Sequence, residues 1–183
     1  YLTEARYRGA KVVLISPDFS PSAPHVDMHV PLRPGSDPAL SLAMCNVVLT
    51  EGLADLDFVA SQTDMPFLVR TDTQRFLREA DCVADGRSDR FYVWRDGAAT
   101  MADPGRLDNP REPRGVELDG TWTVTLQDGS EVEVTTVFSL LRARLEHYTP
   151  EAAAEMCDVH PDTIRELARM VAGGRTKLQN GLG

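Results

Sequence analysis

The sequence predicts an α/β protein: a Rossmann-like parallel-sheet portion, then a β-hairpin insertion, then a helical segment. Three observations carry this. A basic-ended helical stretch stops at Gly9 and gives way at once to the β-branched apolar run AKVVLIS. The run TWTVTLQDGSEVEVTTV alternates in polarity on either side of Asp128-Gly129. Two later stretches open on Thr149-Pro150 and on Pro161, both helix-start signals.

The opening YLTEARYRG reads as the last turns of a helix, with Gly9 as its stop. AKVVLIS suits a strand buried on both faces, as in a parallel sheet. SPDFSPSAPH is a Pro- and Ser-rich loop, and VDMHVPL alternates up to Pro31 as a second strand. In RPGSDPALSLAMCNVVLTEGL, Pro34-Gly35 makes a turn, Ser36 or Asp37 caps, and Pro38 sits near the first helical position. Leu40, Ala43, Met44, Val47 and Val48 supply that helix with an apolar stripe, and Gly52 ends it. DLDFVASQT predicts a short helix with Leu56 and Val59 facing in.

From Thr71 the pattern changes. TDTQRFLREAD predicts another short helix, and residues 98–120, rich in Pro, Gly, Asp and Arg, predict a long irregular insertion. Phe91, Trp94 and Trp122 fall in predicted strands and read as packing residues. The Asp128-Gly129 hairpin follows. FSLLRARLEHY is an amphipathic helix; the next is capped by Thr149-Pro150, with Glu151 in its first turn. DTIRELARMVAGG turns Ile164, Leu167, Ala168 and Val171 inward and closes on its Gly pair. KLQNGLG reads as a strand entering a Gly turn. The predicted organisation is 1–70 as a Rossmann-like cofactor-binding portion, 71–135 as the irregular insertion with the hairpin, and 136–183 as a helical segment returning to the α/β domain. The chain starts in mid-pattern without Met and stops as abruptly, so it reads as a piece of a longer protein.

Charge narrows the function classes. With 28 acids against 19 bases and a net charge of −9, the chain has no basic stripe of the kind a phosphate backbone needs, which argues against nucleic acid. It holds no apolar run of membrane-spanning length, so direct membrane insertion is not expected. Cys45, Cys82 and Cys157 form no C-x-x-C pair and read as buried small hydrophobes. Neither a zinc site nor an iron–sulfur cluster can be built from them alone.

Ligands of open α/β sheets sit at the carboxyl ends of strands. Two segments qualify: residues 16–20 after the first strand and 35–37 after the second. Each carries an acid, Asp18 and Asp37. A carboxylate there can accept from ribose hydroxyls or from the N1–H and N2 amine of guanine. Serine hydroxyls and open N–H groups at a helix start can hold phosphate. Ordinary turns and caps account for the same residues, and there is no G-x-G-x-x-G. His25 and His29 stand four apart around Asp27, yet Pro24 and Pro31 argue against a helix and no Glu completes H-E-x-x-H. They read as polar side chains on one strand face. His147 and His160 sit near helix boundaries, as surface or capping residues.

The run EARYRGAKVVLISPDFSPSAPHVDMHVPLRPGSDPALSLAMCNVVLTEGL resembles the molybdopterin oxidoreductases of the dimethyl sulfoxide reductase family. LDFVASQTDMPFLVRTDTQRFLREAD resembles its type II branch, the nitrate, selenate and chlorate reductases and the dimethylsulfide and ethylbenzene dehydrogenases. YTPEAAAEMCDVHPDTIRELARMVA is similar to the family's later run of helices. The resemblance spans nearly the whole chain and rests on the order and spacing of its motifs.

It implies a fragment of a catalytic alpha subunit, within one larger molybdopterin-binding domain. The implied cofactor is molybdenum bis(molybdopterin guanine dinucleotide). Ser16, Pro17, Asp18, Phe19 and Ser20 correspond to a loop that touches one nucleotide, and Gly35, Ser36 and Asp37 to the next contact. Asp37 is the residue expected to read the guanine edge. Ser36 stands where many relatives have Thr, which keeps the hydroxyl. His25-Val26 stands where many have a small or apolar pair. The molybdenum ligand and the Cys/His set of the iron–sulfur cluster are expected upstream, so no catalytic or metal-ligating residue is assigned here. The implied parent acts on a small-molecule substrate, in anaerobic respiration or substrate oxidation. It passes electrons to an iron–sulfur subunit, with or without a haem b subunit, in a periplasmic or membrane-associated setting. The alternative is a non-catalytic subunit that keeps the fold in a respiratory complex.

Overall fold

The computed structural model describes residues 2–102 and 114–173. In chain order the helices are α1 (Leu2–Tyr7), α2 (Asp37–Thr50), α3 (Leu56–Gln62), α4 (Glu79–Cys82), α5 (Val137–Leu145), α6 (Pro150–Cys157) and α7 (Pro161–Ala172). The strands are β1 (Val13–Ile15), β2 (Met28–Val30), β3 (Leu68–Arg70), β4 (Tyr92–Arg95), β5 (Ala98–Met101), β6 (Thr121–Thr125) and β7 (Glu131–Thr136). The class is α/β, and the chain divides into two units: Tyr1–Leu53 with Leu145–Gly183, and Ala54–Arg144.

The first unit carries the parallel pair. Gly9 turns out of α1 at φ +87°, and β1 then runs parallel to β2 with Val13, Leu14 and Ile15 opposite Met28, His29 and Val30. Helix α2 packs on α6 and α7. The core joins Val30 and Leu32 to Leu40 and Ala43 of α2, Ala153 and Cys157 of α6, Val159, and Ile164 and Leu167 of α7. These are the inward positions of three helices whose apolar residues recur at helical spacing. Asn46, buried among them, spends its side-chain N–H on the Leu145 carbonyl at 2.9 Å, as a buried polar group must. Thr149 caps α6 by accepting from Ala152 N–H, and the His160 ring accepts from Asp162 N–H at the start of α7.

Several expectations are corrected here. Strand β1 is not buried on both faces: Ile15 is 43% exposed, and Val13 and Leu14 are only half-buried. His25 and His29 do not share a strand face, since the Pro24 turn puts His25 in a 3-10 helix, Ala23–His25. Only Cys157 is a buried small hydrophobe; Cys45 lies on the outer side of α2 and Cys82 is half-buried. The expected strand at 177–183 lies outside the described residues, as does the second residue of the Gly pair.

The second unit is a β-rich module. Strands β3, β7 and β6 form an antiparallel sheet in that order, with β6 and β7 joined by the expected hairpin. Asp128 closes the hairpin turn by accepting from the N–H and hydroxyl of Ser130. Leu68, Leu77, Val124, Val132 and Val134 form its core, and Trp94 stacks on Trp122 at 4.8 Å between ring centroids. Thr136, fully buried, donates its hydroxyl to the Leu118 carbonyl and accepts from Ser139 N–H, so it caps the start of α5.

This unit departs from expectation in three places. The predicted helix TDTQRFLREAD shrinks to α4, because Phe76 and Arg78 bridge to Val69 and Phe91 in extended form. Part of the 98–120 insertion is strand: β5 pairs with β4 around Asp96-Gly97, whose φ values of +50° and +83° suit a two-residue hairpin. Residues 103–113 of that stretch lie outside the described residues. Helix α3, capped by Asp55, leaves Leu56 51% exposed and buries Ala60 instead.

Candidate functional site

Both candidate loops leave the carboxyl edge of the same strand pair. Ile15 and Val30 are register partners, and Ser16 N–H donates to the Val30 carbonyl at 3.2 Å. The chain therefore enters 16–20 and 31–37 from neighbouring points on one sheet edge. That is where the topology of a parallel sheet places a ligand crevice.

The register of the two strands is set at the opposite end by Asp27. Its carboxylate accepts from Val12 N–H at 2.8 Å and from the Arg6 guanidinium at 2.8 and 3.2 Å, while its own N–H donates to the Val12 carbonyl at 2.8 Å. Arg6 also donates to the His25 carbonyl at 2.8 Å. The Val12 N–H, with the Arg6 guanidinium beside it, holds the Asp27 carboxyl below its ordinary range. One residue thereby ties α1, the start of β1 and the entry to β2.

Loop 16–20 folds on itself. The Ser16 hydroxyl donates to the Asp18 carbonyl at 3.1 Å and accepts from Asp18 N–H at 3.3 Å. Ser20 N–H donates to the Asp18 carbonyl at 2.9 Å. His29, on β2, reaches the Ser16 carbonyl with Nε2 at 3.1 Å, and Phe19 lies edge-on to its ring at 5.4 Å. Phe19 is otherwise 72% exposed, an unusual position for so large an apolar ring.

Loop 33–37 turns at Gly35, φ +80°. Ser36 occupies the cap position of α2, yet its hydroxyl points back and donates to the Arg33 carbonyl at 2.5 Å. The expected side-chain cap is thus corrected: neither Ser36 nor Asp37 caps the helix. Arg33 docks on the α6–α7 turn, its N–H donating to the Cys157 carbonyl at 3.0 Å and its guanidinium to Asp158 at 2.9 and 3.1 Å.

These bonds define what is left for a ligand. The hydroxyls of Ser16 and Ser36 are committed to main-chain carbonyls. Among the described residues, the N–H groups of Phe19, Gly35 and Asp37 have no protein acceptor, and the exposed Asp18 and Asp37 carboxylates have no donor. Three open N–H groups and two open carboxylates on one sheet edge fit a group with both anionic oxygens and N–H or O–H donors, as a nucleotide has. Among the described residues no cluster of three or more His, Cys, Asp or Glu side chains could hold a metal ion, and no helix is long and apolar enough to cross a membrane.

Sequence reasoning singled out the loops and passed over the residues that hold them. In the sequence His29 is only one of a pair of polar histidines and Asp27 the residue between them. Arg33 and Asp158 carried no local signal, since their pairing spans 125 residues.

No family model matches the chain. It is 42% identical over 177 residues to the chlorate reductase subunit alpha of Ideonella dechloratans, covering 94% of this chain and 19% of that one. It is 37% identical to the perchlorate reductase subunit alpha of Dechloromonas aromatica, over 97% of this chain and 22% of that one. It is 34% identical to the dimethylsulfide dehydrogenase subunit alpha of Rhodovulum sulfidophilum, over 97% and 20%. Acetylene hydratase from Pelobacter acetylenicus superposes with a TM-score of 0.47 at 22% identity, over 91% of this chain and 13% of that one, a likeness too loose to carry an argument. The chain spans about a fifth of the length of these alpha subunits. By these relations it belongs to the dimethyl sulfoxide reductase family of molybdopterin oxidoreductases, in the type II branch.

Proposed function

We propose that the chain builds one guanine-nucleotide end of the cofactor site in a molybdenum oxidoreductase catalytic subunit. The observation that carries this is the shared sheet edge: residues 16–20 and 35–37 leave it side by side with open N–H groups and open carboxylates. The cofactor is molybdenum bis(molybdopterin guanine dinucleotide). Asp37 offers its two oxygens to the N1–H and N2 amine of guanine. Asp18 and Ser20 face ribose hydroxyls. The N–H groups of Phe19, Gly35 and Asp37 take phosphate oxygens, aided by the positive end of α2.

When bound, the molybdenum–pterin group supplies two-electron redox chemistry with transfer of an oxygen atom at the metal. This chain contributes positioning and no reacting atom. The metal ligand and the iron–sulfur cluster belong to other segments of the parent. The parent's substrate is a small molecule, and its electrons pass to an iron–sulfur subunit, with or without a haem b subunit, in a periplasmic or membrane-associated complex. The names of the three relatives, alpha subunits of two reductases and a dehydrogenase, support a redox enzyme of more than one subunit.

The test is molybdenum and guanine analysis of the full-length protein, wild type and Asp37→Ala. The wild type is expected to hold both. Asp37→Ala should lose cofactor affinity by on the order of 2–3 kcal/mol, the cost of stranding two donors. A folded wild-type protein with neither molybdenum nor guanine overturns the catalytic reading and leaves the structural-subunit alternative. An Asp37→Ala protein that retains cofactor as tightly as wild type removes Asp37 from the site.

A further inference from the structure

Asp158 ends α6 in the left-handed region, at φ 59° and ψ 22°. Glycine adopts that conformation without cost, and most other residues do not. Asp is among the few side chains that tolerate it, and here the carboxylate also has a partner. It grips the Arg33 guanidinium at two points, Oδ2 to Nε at 3.1 Å and Oδ1 to Nη2 at 2.9 Å. The Arg33 N–H lands on the same turn, at the Cys157 carbonyl, 3.0 Å away.

The turn is a firm platform. Cys157 and Val159, on either side of Asp158, are 0% and 3% exposed and belong to the core. From Arg33 the bonds continue into the loop: its carbonyl accepts from Ser36 N–H at 3.1 Å and from the Ser36 hydroxyl at 2.5 Å. An unbroken series of bonds runs from the α6–α7 turn to the residues flanking Gly35. An exposed ion pair of this kind adds little to global stability. Its effect falls on the place and angle of the loop it holds.

We propose that Asp158 is a positioning residue for the nucleotide loop 35–37, acting through Arg33. This rests on the nucleotide reading of that loop given above. The Asp158–Arg33 pair fixes where the open N–H groups of Gly35 and Asp37 stand before any ligand arrives, which lowers the ordering cost of binding.

The experiment uses the full-length protein with Asp158→Gly, Asp158→Asn, Arg33→Ala and the Asp158→Gly/Arg33→Ala double variant. Three quantities are measured: the melting midpoint, hydrogen exchange at the Ser36 amide, and the rate at which guanine nucleotide is lost. Asp158→Gly keeps the left-handed turn, so the midpoint should stay within about 2 °C of wild type. Ser36 exchange and nucleotide loss should both quicken several-fold, with Asp158→Asn intermediate. The double variant should be no worse than Arg33→Ala, as expected of two residues acting as one unit. Unchanged Ser36 exchange in Asp158→Gly, in a protein loaded with guanine, overturns the positioning role and leaves the reading of the site intact. A midpoint that falls in step with nucleotide loss also overturns it, because the effect is then general stability. A wild-type protein without guanine overturns the reading of the site itself.

Discussion

His29 donates from Nε2 to the carbonyl of Ser16 across 3.1 Å, from the middle of β2 to the first residue of the loop after β1. A carbonyl oxygen only accepts, so this contact fixes the tautomer with the proton on Nε2. The same ring receives the edge of Phe19, so one side chain holds both ends of the Ser16-Pro17-Asp18-Phe19 turn.

His29→Phe keeps an aromatic ring for Phe19 and removes the donor. The loss should be about 1 kcal/mol of stability, read by denaturant unfolding, with faster hydrogen exchange at Ser20. An unfolding curve and exchange rate equal to wild type would remove His29 from the support of this loop.

Asp27 predicts an acid limb. Its folded pKa lies below the ordinary 3.8, because Val12 N–H and Arg6 favour the ionised form. A depressed carboxyl gives stability that is full above the ordinary value and is lost as the pH falls through the lowered one. Stability should therefore decline below about pH 4, together with that of Glu51 and Glu151, which Arg169 and Arg165 depress in the same direction. Asp27→Asn should flatten that decline and lower stability at neutral pH, measured by unfolding across a pH series.

Thr136→Val tests the second unit with volume nearly unchanged. The hydroxyl is fully buried, serves the Leu118 carbonyl and caps Ser139 N–H. Stranding both should cost about 1–3 kcal/mol. A thermal midpoint within error of wild type would show that these groups find other partners.

Gly120→Ala tests a close approach in the same unit. A Cβ there would stand 2.4 Å from Trp122 Cζ2 and 2.7 Å from its Cη2. The backbone cannot slide away easily, since Gly120 N–H donates to the Ser139 hydroxyl and its carbonyl accepts from Thr135. Overpacking should cost about 1–3 kcal/mol, and Trp122→Leu in the Gly120→Ala background should recover part of it. The check is denaturant unfolding of the single and double variants.

What the sequence disclosed follows a physical line. Helices α2, α6 and α7 were legible because burial on one side leaves a helical stripe and each start carries Pro, with a capping side chain as well at α6 and α7. The Asp128-Gly129 hairpin was legible because one face of each strand is buried. Strand β3 went unread: Leu68 and Val69 are both buried, so no alternation marks it and no turn signal sets it apart. TDTQRFLREAD misled because Phe76, Leu77 and Arg78 mimic helical spacing while their real partners, Val69 and Phe91, are supplied by tertiary pairing. At the site, the loops were visible as turn chemistry. Their supports were not, because Arg33 and Asp158 meet only in the folded chain.

That separation has a consequence in time. Ala54–Arg144 is one contiguous stretch of chain. The unit that holds both loops is completed only by Leu145–Gly183. Until Asp158 has emerged, 125 residues after Arg33, the loop at Gly35 lacks its anchor. Synthesis therefore delivers the Gly35 loop 125 residues ahead of the residue that holds it. A chain cut short before Asp158 would carry residues 35–37 without the Arg33 anchor.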